Sequence, residues 1–217
     1  MQPERIAELL APFLGGEQLS TADLDHISTY IDILLRWNAR INLTAIRNPE
    51  EIVTRHFGES LFAARHLFPR SSATPASSVL KALADIGSGA GFPGIPIKLW
   101  APHIAVTLIE SNQKKSTFLR EIAHALTLTD IKIRTARAES LPKASFDVVT
   151  LRAVERFDQI LPTAASLLAP AGRLALLISS AQLPRARQLL PSHALPAPHP
   201  IPESKNRILL ITTRPQQ

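Results

Sequence analysis

Half of the chain's eight glycines fall within ten residues, Asp85-Ile-Gly-Ser-Gly-Ala-Gly-Phe-Pro-Gly94, directly after the apolar run Val79–Ile86. Glycine enters left-handed backbone without a Cβ penalty, so this density marks a sharp turn or a close approach of backbone to a ligand. The residues that follow define the fold in which such a loop sits. Short apolar runs at Ile104–Glu110, Ile131–Thr135, Phe146–Leu151 and Arg173–Ile178 read as strands. Ser111–Leu126 and Glu155–Leu168 read as amphipathic helices between them. Alternation of this kind predicts an α/β fold, a mainly parallel sheet with helices on both faces. A final strand is expected at Arg207–Thr213, after a proline-rich stretch that ends at Pro202. In open parallel sheets, ligands bind beyond the carboxyl ends of the strands, where strand order reverses. The glycine loop therefore predicts a binding site after the first strand.

The first third has the other periodicity. Leu24, Ile27, Ile31, Leu34 and Leu35 keep one face apolar at helical spacing, and Ser20 or Thr21 can cap the start. Asn48-Pro49-Glu50-Glu51 opens a second helix running to about Phe68. Asn is a good cap, Pro suits the first position, and Glu51 can reach back to the cap amide. Arg70–Ser78 is small, polar and broken by Pro75, which reads as a linker. The expected organisation is a helical extension over residues 1–75 and an α/β core over residues 76–217.

Net charge is +6, and the surplus lies in the C-terminal two thirds, with a further group at Arg36, Arg40, Arg47, Arg55, Arg65 and Arg70. Such a balance points to a polyanionic partner. The plainer explanation is a GC-rich coding sequence, because Arg outnumbers Lys 17 to 7. There are no cysteines, so disulfides, thiolate metal sites and a cysteine nucleophile are excluded. This fits a cytoplasmic location. The seven histidines lack metal-ligand spacing, and no metal is expected. No apolar run approaches the roughly 18 residues of a membrane helix, and no membrane partner is expected.

Two frames can be laid on the glycine loop. Gly89-Ala-Gly91-Phe-Pro-Gly94 matches the dinucleotide pattern G-x-G-x-x-G, with Glu110 near the expected distance. That frame starts too far past the strand, and Pro93 sits where a helix should offer amides to a pyrophosphate. The other frame, Asp85-x-Gly87-x-Gly89-x-Gly91, resembles motif I of S-adenosylmethionine-dependent methyltransferases, where the acid suits a ligand bearing an ammonium group. Glu110 closes the next strand, where a carboxylate can accept from both ribose hydroxyls of an adenosine. Only about 140 residues follow the linker, too few for a second substrate domain. There is no G-K-[ST], which excludes a P-loop.

With these residues in view, the chain resembles the bacterial small-subunit ribosomal RNA guanine-N7 methyltransferases, the glucose-inhibited division protein B type. The likeness rests on Asp85–Pro96, Asn42-Leu-Thr-Ala-Ile46, Arg55-His56, Glu110-Ser-Asn-Gln-Lys-Lys115, Arg137-Ala138-Glu139 and Arg152-Ala153, and spans about two thirds of the chain. It implies a class I, seven-stranded, Rossmann-like fold with a helical extension. It also implies methylation of N7 of guanosine 527 in 16S rRNA, naked or in the small-subunit particle, by a monomer. By position, Asp85, Gly87, Ser88, Gly89, Gly91 and Phe92 would form the methionyl pocket, Glu110 would hold the ribose, and Ala138 and Glu139 would meet the adenine. Arg152 would face the cofactor and the target base, with Asn42 and His56 beside it. Three positions depart from the family pattern. Glu59 stands in His-x-x-Asp-Ser, Leu151 stands where a small residue precedes Arg-Ala, and Ile178-Ser179-Ser180 replaces a Lys-Gly that would contact RNA.

Guanine N7 carries an in-plane lone pair and no proton, so no general base is needed. Alignment is the main task, worth about 7–11 kcal/mol in ideal cases. Arg152 is therefore expected to position the base, through guanine O6, rather than to move a proton. Duller roles exist for each residue. Arg152 could pair with Glu155, His56 could be a core histidine, Asn42 could cap a turn, and Glu110 or Lys114-Lys115 could simply be solvated. Two other functions also remain open: methylation of another RNA, a protein or a small molecule, and cofactor binding without catalysis.

Overall fold

A computed structural model describes residues 1–70, 81–154, 156–194 and 196–214. The expected linker after Arg70, the first two residues of the first strand, the boundary at residue 75 and Glu155 lie outside the described residues.

Strands β1 (Ala82–Ile86), β2 (Ala105–Ile109), β3 (Ile131–Arg134), β4 (Phe146–Arg152), β5 (Leu168–Ser179), β6 (His199–Pro200) and β7 (Arg207–Thr213) form one sheet. Its order is β3-β2-β1-β4-β5-β7-β6. The first five strands are parallel, and β7 runs antiparallel to both β5 and β6. The chain leaves β1 toward β2 on one side and returns to β4 on the other. The strand order thus reverses at the carboxyl ends of β1 and β4, which is where the glycine loop lies.

The central strands are buried on both faces, and successive side chains point to opposite faces with period two. Leu83, Val106, Leu108, Val148, Ala175 and Leu177 face one apolar cluster. Ala84, Ile109, Val149, Leu151, Leu174 and Leu176 face the other. The second cluster is covered by α7 (Phe157–Leu167) and α8 (Leu183–Leu189). The first is covered by α5 (Gly94–Trp100) and α6 (Gln113–Ala125), and also by the N-terminal helices. Ile6, Phe13, Tyr30, Leu34, Phe57 and Leu61 thus share one core with the sheet.

Three helices have no counterpart among the expected ones; α8 is one, in the stretch read only as proline-rich, and the other two lie nearer the N-terminus. The first of these two is α1 (Pro3–Leu14), although Ile6, Leu10, Phe13 and Leu14 carry the helical spacing. The second is α5, buried all round, so that no amphipathic period marks it. Next comes α2 (Thr21–Asn38), which starts at a capping box: Asp23 N donates to Ser20 Oγ at 3.1 Å, and Ser20 N donates to Asp23 Oδ2 at 3.2 Å. The expected helix from Asn48 begins as α3 (Pro49–Glu51), with Asn48 Oδ1 accepting from the amides of Glu50 and Glu51. Glu51 does not return to the cap; its carboxylate faces Arg55 at 3.9 Å, while Glu50 accepts from Arg5 at 2.8 Å. The coil then widens into a π-helical segment, Ile52–Gly58, and tightens again in α4 (Glu59–Leu67). Such wide turns are uncommon and often mark functional positions. This one holds Arg55 and His56.

Candidate active site

The loop after β1 is held from three sides. Gly87 N and Ser88 N both donate to Ile109 O, at 2.9 and 3.1 Å, turning the chain over the end of β2. Gly91 has φ +87°, and a Cβ there would collide with the Tyr30 hydroxyl and with Ile95 Cδ1. The Tyr30 hydroxyl donates to Ala90 O, so the N-terminal helices clamp the loop directly. At Gly94 a Cβ would run into Leu108 Cδ2 and lie 2.8 Å from Asp85 Oδ2.

Asp85 is fully buried, and its task differs from the expected one. Oδ1 accepts from Thr150 Oγ1 at 2.8 Å and Oδ2 from Gly94 N at 3.2 Å. The carboxyl ties β1 to β4 and to the start of α5, and it does not line the cavity in front of the loop. Burial pushes its pKa up to about 6, against the pull of the Thr150 hydroxyl and the Gly94 amide. A direct contact between Asp85 and a ligand's ammonium group is therefore not what this geometry builds.

The cavity measures about 660 Å³, within the usual range for small-molecule sites. Gly87, Ser88, Gly89, Phe92, Glu110, Ala138, Glu139, Arg152 and His56 all line it. Gly91 stands behind the loop, and Asn42 is exposed and outside the cavity; its neighbours Leu43 and Thr44 line it instead. Lys115, Arg137, Arg156 and Gln159 also border it; the sequence offers Lys115 as an RNA contact or a solvated lysine and assigns no role to the other three. Arg137 and Lys115 lie in segments the sequence had marked, but local pattern could not say which way they face. Lys114 is exposed and away from the cavity.

Glu110 closes β2 as expected. Oε2 accepts from Gly89 N at 2.9 Å and Oε1 from Asn112 N at 2.7 Å, so the carboxylate braces the glycine loop and the start of α6 together. A carboxylate has about four acceptor positions. Two are used here, and the rest are left toward the cavity that Glu110 lines.

On the other side of the loop lies a cluster of charge. Glu59, 1% exposed, accepts from Arg152 Nη2 at 3.2 Å, from Arg55 Nε at 3.2 Å and pairs with Arg207 Nη2 at 3.1 Å. Three guanidinium groups thus share one carboxylate. Arg207 arrives from β7, directly across the ladder from Ser179. Ser179 and Ser180 do not border the cavity; Ser179 caps the short turn Ser180–Gln182. Arg152 also donates from Nη2 to Arg55 O at 2.7 Å and from Nη1 to His56 Nδ1 at 3.0 Å. Four of its five N–H groups are spent, leaving one on Nη1 for the cavity.

His56 is buried, stacks on Phe92 with ring centroids 4.7 Å apart, and meets Thr44 Oγ1 through Nε2 at 2.8 Å. Burial lowers its pKa to about 3, helped by Arg152, Arg55 and Arg207, so the ring is neutral near pH 7. It is a buried and satisfied histidine at the edge of the cavity, not a charged group. Among the described residues, no group of three or more His, Asp or Glu could hold a metal ion, and no helix is long and apolar enough to cross a membrane.

Comparison with known proteins agrees with this architecture. The profile of the rRNA small subunit methyltransferase G family matches residues 23–189. A protein of Halorhodospira halophila named ribosomal RNA small subunit methyltransferase G is 41% identical over 187 residues, covering 83% of this chain and 84% of the relative. Its namesake in Xanthomonas campestris pv. campestris is 36% identical over 173 residues, covering 79% and 76%. Among solved structures, the ribosomal protein L11 methylase of Lactobacillus delbrueckii subsp. bulgaricus superposes with a TM-score of 0.59 at 20% identity, over 75% of this chain and 79% of that one. That last likeness bears on the fold alone. With a profile spanning most of the chain and relatives this similar along their length, the chain belongs to the ribosomal RNA small subunit methyltransferase G family.

Proposed function

We propose that this chain transfers a methyl group from S-adenosylmethionine to N7 of a guanosine in 16S ribosomal RNA, guanosine 527 by its family likeness. The observation that carries the reading is Glu110: a braced carboxylate with free acceptor positions, beside a glycine loop, at the reversal of strand order. Two acceptors at that place suit a ribose diol. Ala138 and Glu139, in the turn after β3, border the end of the cavity suited to an adenine. The residues present therefore fit an adenosyl group. When bound, S-adenosylmethionine supplies the activated methyl group on a sulfonium centre.

The chain's own residues supply position and electrostatics. N7 has no proton to remove, and neutral His56 is not asked to remove one. Arg152 offers one remaining N–H, held in direction by Glu59, the Arg55 carbonyl and His56. A single N–H suits the O6 acceptor of guanine and leaves N7 open. Asn42, exposed outside the cavity, would act only on an RNA laid across the mouth. Lys115, Arg137 and Arg156 give that mouth a basic rim, which suits RNA phosphates. We read residues 1–75 as an extension whose Tyr30 and His56 shape the pocket, and the whole as a cytoplasmic monomer.

The test is methyl transfer from labelled S-adenosylmethionine to 16S rRNA, naked and in particles, with the product base mapped. N7-methylguanine at one site supports the reading. Transfer to a protein or small molecule alone overturns the substrate. Calorimetric binding of a nicotinamide dinucleotide, with none of S-adenosylhomocysteine, overturns the cofactor. Arg152→Ala at full turnover overturns its positioning role.

A further inference from the structure

Thr44 lies in an irregular segment after α2, yet its position is tightly held. Asn38 Oδ1 accepts from Thr44 N at 3.1 Å and from Leu43 N at 2.9 Å, and Asn38 Nδ2 donates to Thr44 O at 2.9 Å. Asn38 is itself buried as the last residue of α2. One side chain thus grips both ends of the Thr44 peptide unit and turns the hydroxyl to the cavity wall.

The direction of hydrogen bonding around that hydroxyl follows from Arg152. A guanidinium only donates, so His56 Nδ1, 3.0 Å from Arg152 Nη1, must accept. The neutral ring then carries its proton on Nε2. Nε2–H donates to Thr44 Oγ1 at 2.8 Å. Ile46 N donates to the same oxygen at 3.1 Å. Both lone pairs of the hydroxyl are occupied, and its single proton has no acceptor among the described residues. In a group this well held, an unspent donor facing a cavity is a recognition element.

We propose that the Thr44 hydroxyl, fixed as a donor by the chain Arg152–His56–Thr44, hydrogen-bonds an acceptor oxygen of the bound ligand. Two oxygens fit that chemistry: the carboxylate of the methyl donor and O6 of the target guanine. An amino group at the same place would set donor against donor, so at the base the contact would favour guanine over adenine. The identity of the ligand rests on the methyl-transfer reading above, but the direction of the hydrogen bonds does not.

The first experiment concerns the protein alone. Nitrogen-15 NMR of His56 in the full chain is expected to show the Nε2–H form throughout pH 5–8; an Nδ1–H form overturns the proposal without touching the methyl-transfer reading. The second compares Thr44→Val, which keeps the shape and loses the donor, with Thr44→Ser, which keeps the donor. Calorimetry with S-adenosylhomocysteine and with its decarboxylated analogue forms one arm. Methyl transfer to RNA carrying guanosine or 6-thioguanosine at the target forms the other. A loss of about tenfold in Thr44→Val, restored by Thr44→Ser, is the expected cost of one hydrogen bond. That loss must vanish in one arm when the acceptor oxygen is removed, and the arm in which it vanishes names the oxygen. An equal loss with and without the oxygen, or no loss, overturns the proposal. If the unaltered chain methylates no RNA, the function reading fails, and the NMR and calorimetric arms still decide the role of Thr44.

Discussion

Replacing Glu59 by Gln keeps the shape of the side chain and removes the negative charge that three guanidinium groups share. The cost can be divided by exposure. Arg55 is 43% exposed and has Glu51 at 3.9 Å, so its share is that of a surface pair, within about 1 kcal/mol. Arg152 and Arg207 are 9% and 17% exposed and would keep only a neutral partner. Removing one member of a buried ion pair costs about 3–5 kcal/mol, because a desolvated charge is left behind. The amide also sets N–H groups against guanidinium N–H groups. A total of about 3–5 kcal/mol is a large part of the 5–15 kcal/mol that holds a typical domain. For a chain of this length it lowers the Tm by about 6–20 °C. Urea and thermal unfolding of Glu59→Gln against the unaltered chain measure it, with Glu59→Asp as the control that keeps the charge and shortens the reach. Glu59→Asp should lose clearly less than Glu59→Gln. A Glu59→Gln loss below about 1 kcal/mol, or equal losses in both variants, would falsify the view of Glu59 as the electrostatic hub under Arg152.

Three further outcomes follow from the same geometry. Glu110→Gln should weaken S-adenosylhomocysteine binding about 10- to 100-fold, the scale of lost hydrogen bonds to a charged group; calorimetry showing unchanged affinity would remove Glu110 from the site. Gly91→Ala must place a Cβ at φ +87° against Tyr30 and Ile95, at a cost of about 1–3 kcal/mol in strain, with loss of cofactor affinity as the loop shifts; an unchanged melting curve would contradict the packing. His56 has a folded pKa of about 3, below its unfolded value near 6.5, so the folded chain binds fewer protons. Stability from this group is complete above pH 6.5 and is lost as pH falls toward 3, by about 2 kcal/mol at pH 5. His56→Gln lacks this slope, so the stability gap between it and the unaltered chain should narrow by that amount from pH 8 to pH 5; a constant gap would mean that His56 is not desolvated.

Much of this was legible along the chain because the signals are local. Strand and helix periods depend on neighbours within a few residues, and so do the Ser20 and Asn48 caps. The glycine loop and Glu110 are near in sequence, and the strand between them sets their relation. What the residues at the site do was harder to read. Asp85 and Glu110 are both acids at strand ends. One is turned inward by Thr150, 65 positions away, and the other outward to the cavity. Asn42 and Thr44 stand two apart in a segment with no period, so no pattern says which one faces the pocket; the grip of Asn38 decides it.

The sequence alone determined the layering, the place of the binding loop and the acid beside it, since each follows from short-range backbone preference and from short apolar runs alternating with amphipathic ones. Tertiary structure alone decided the charge network. Glu59 meets Arg152 across 93 positions and Arg207 from the last strand, and their meeting sets the tautomer of His56 and the donor character of Thr44. Electrostatic coupling acts through space and depends on burial, which the order of residues does not reveal until the chain has closed on itself.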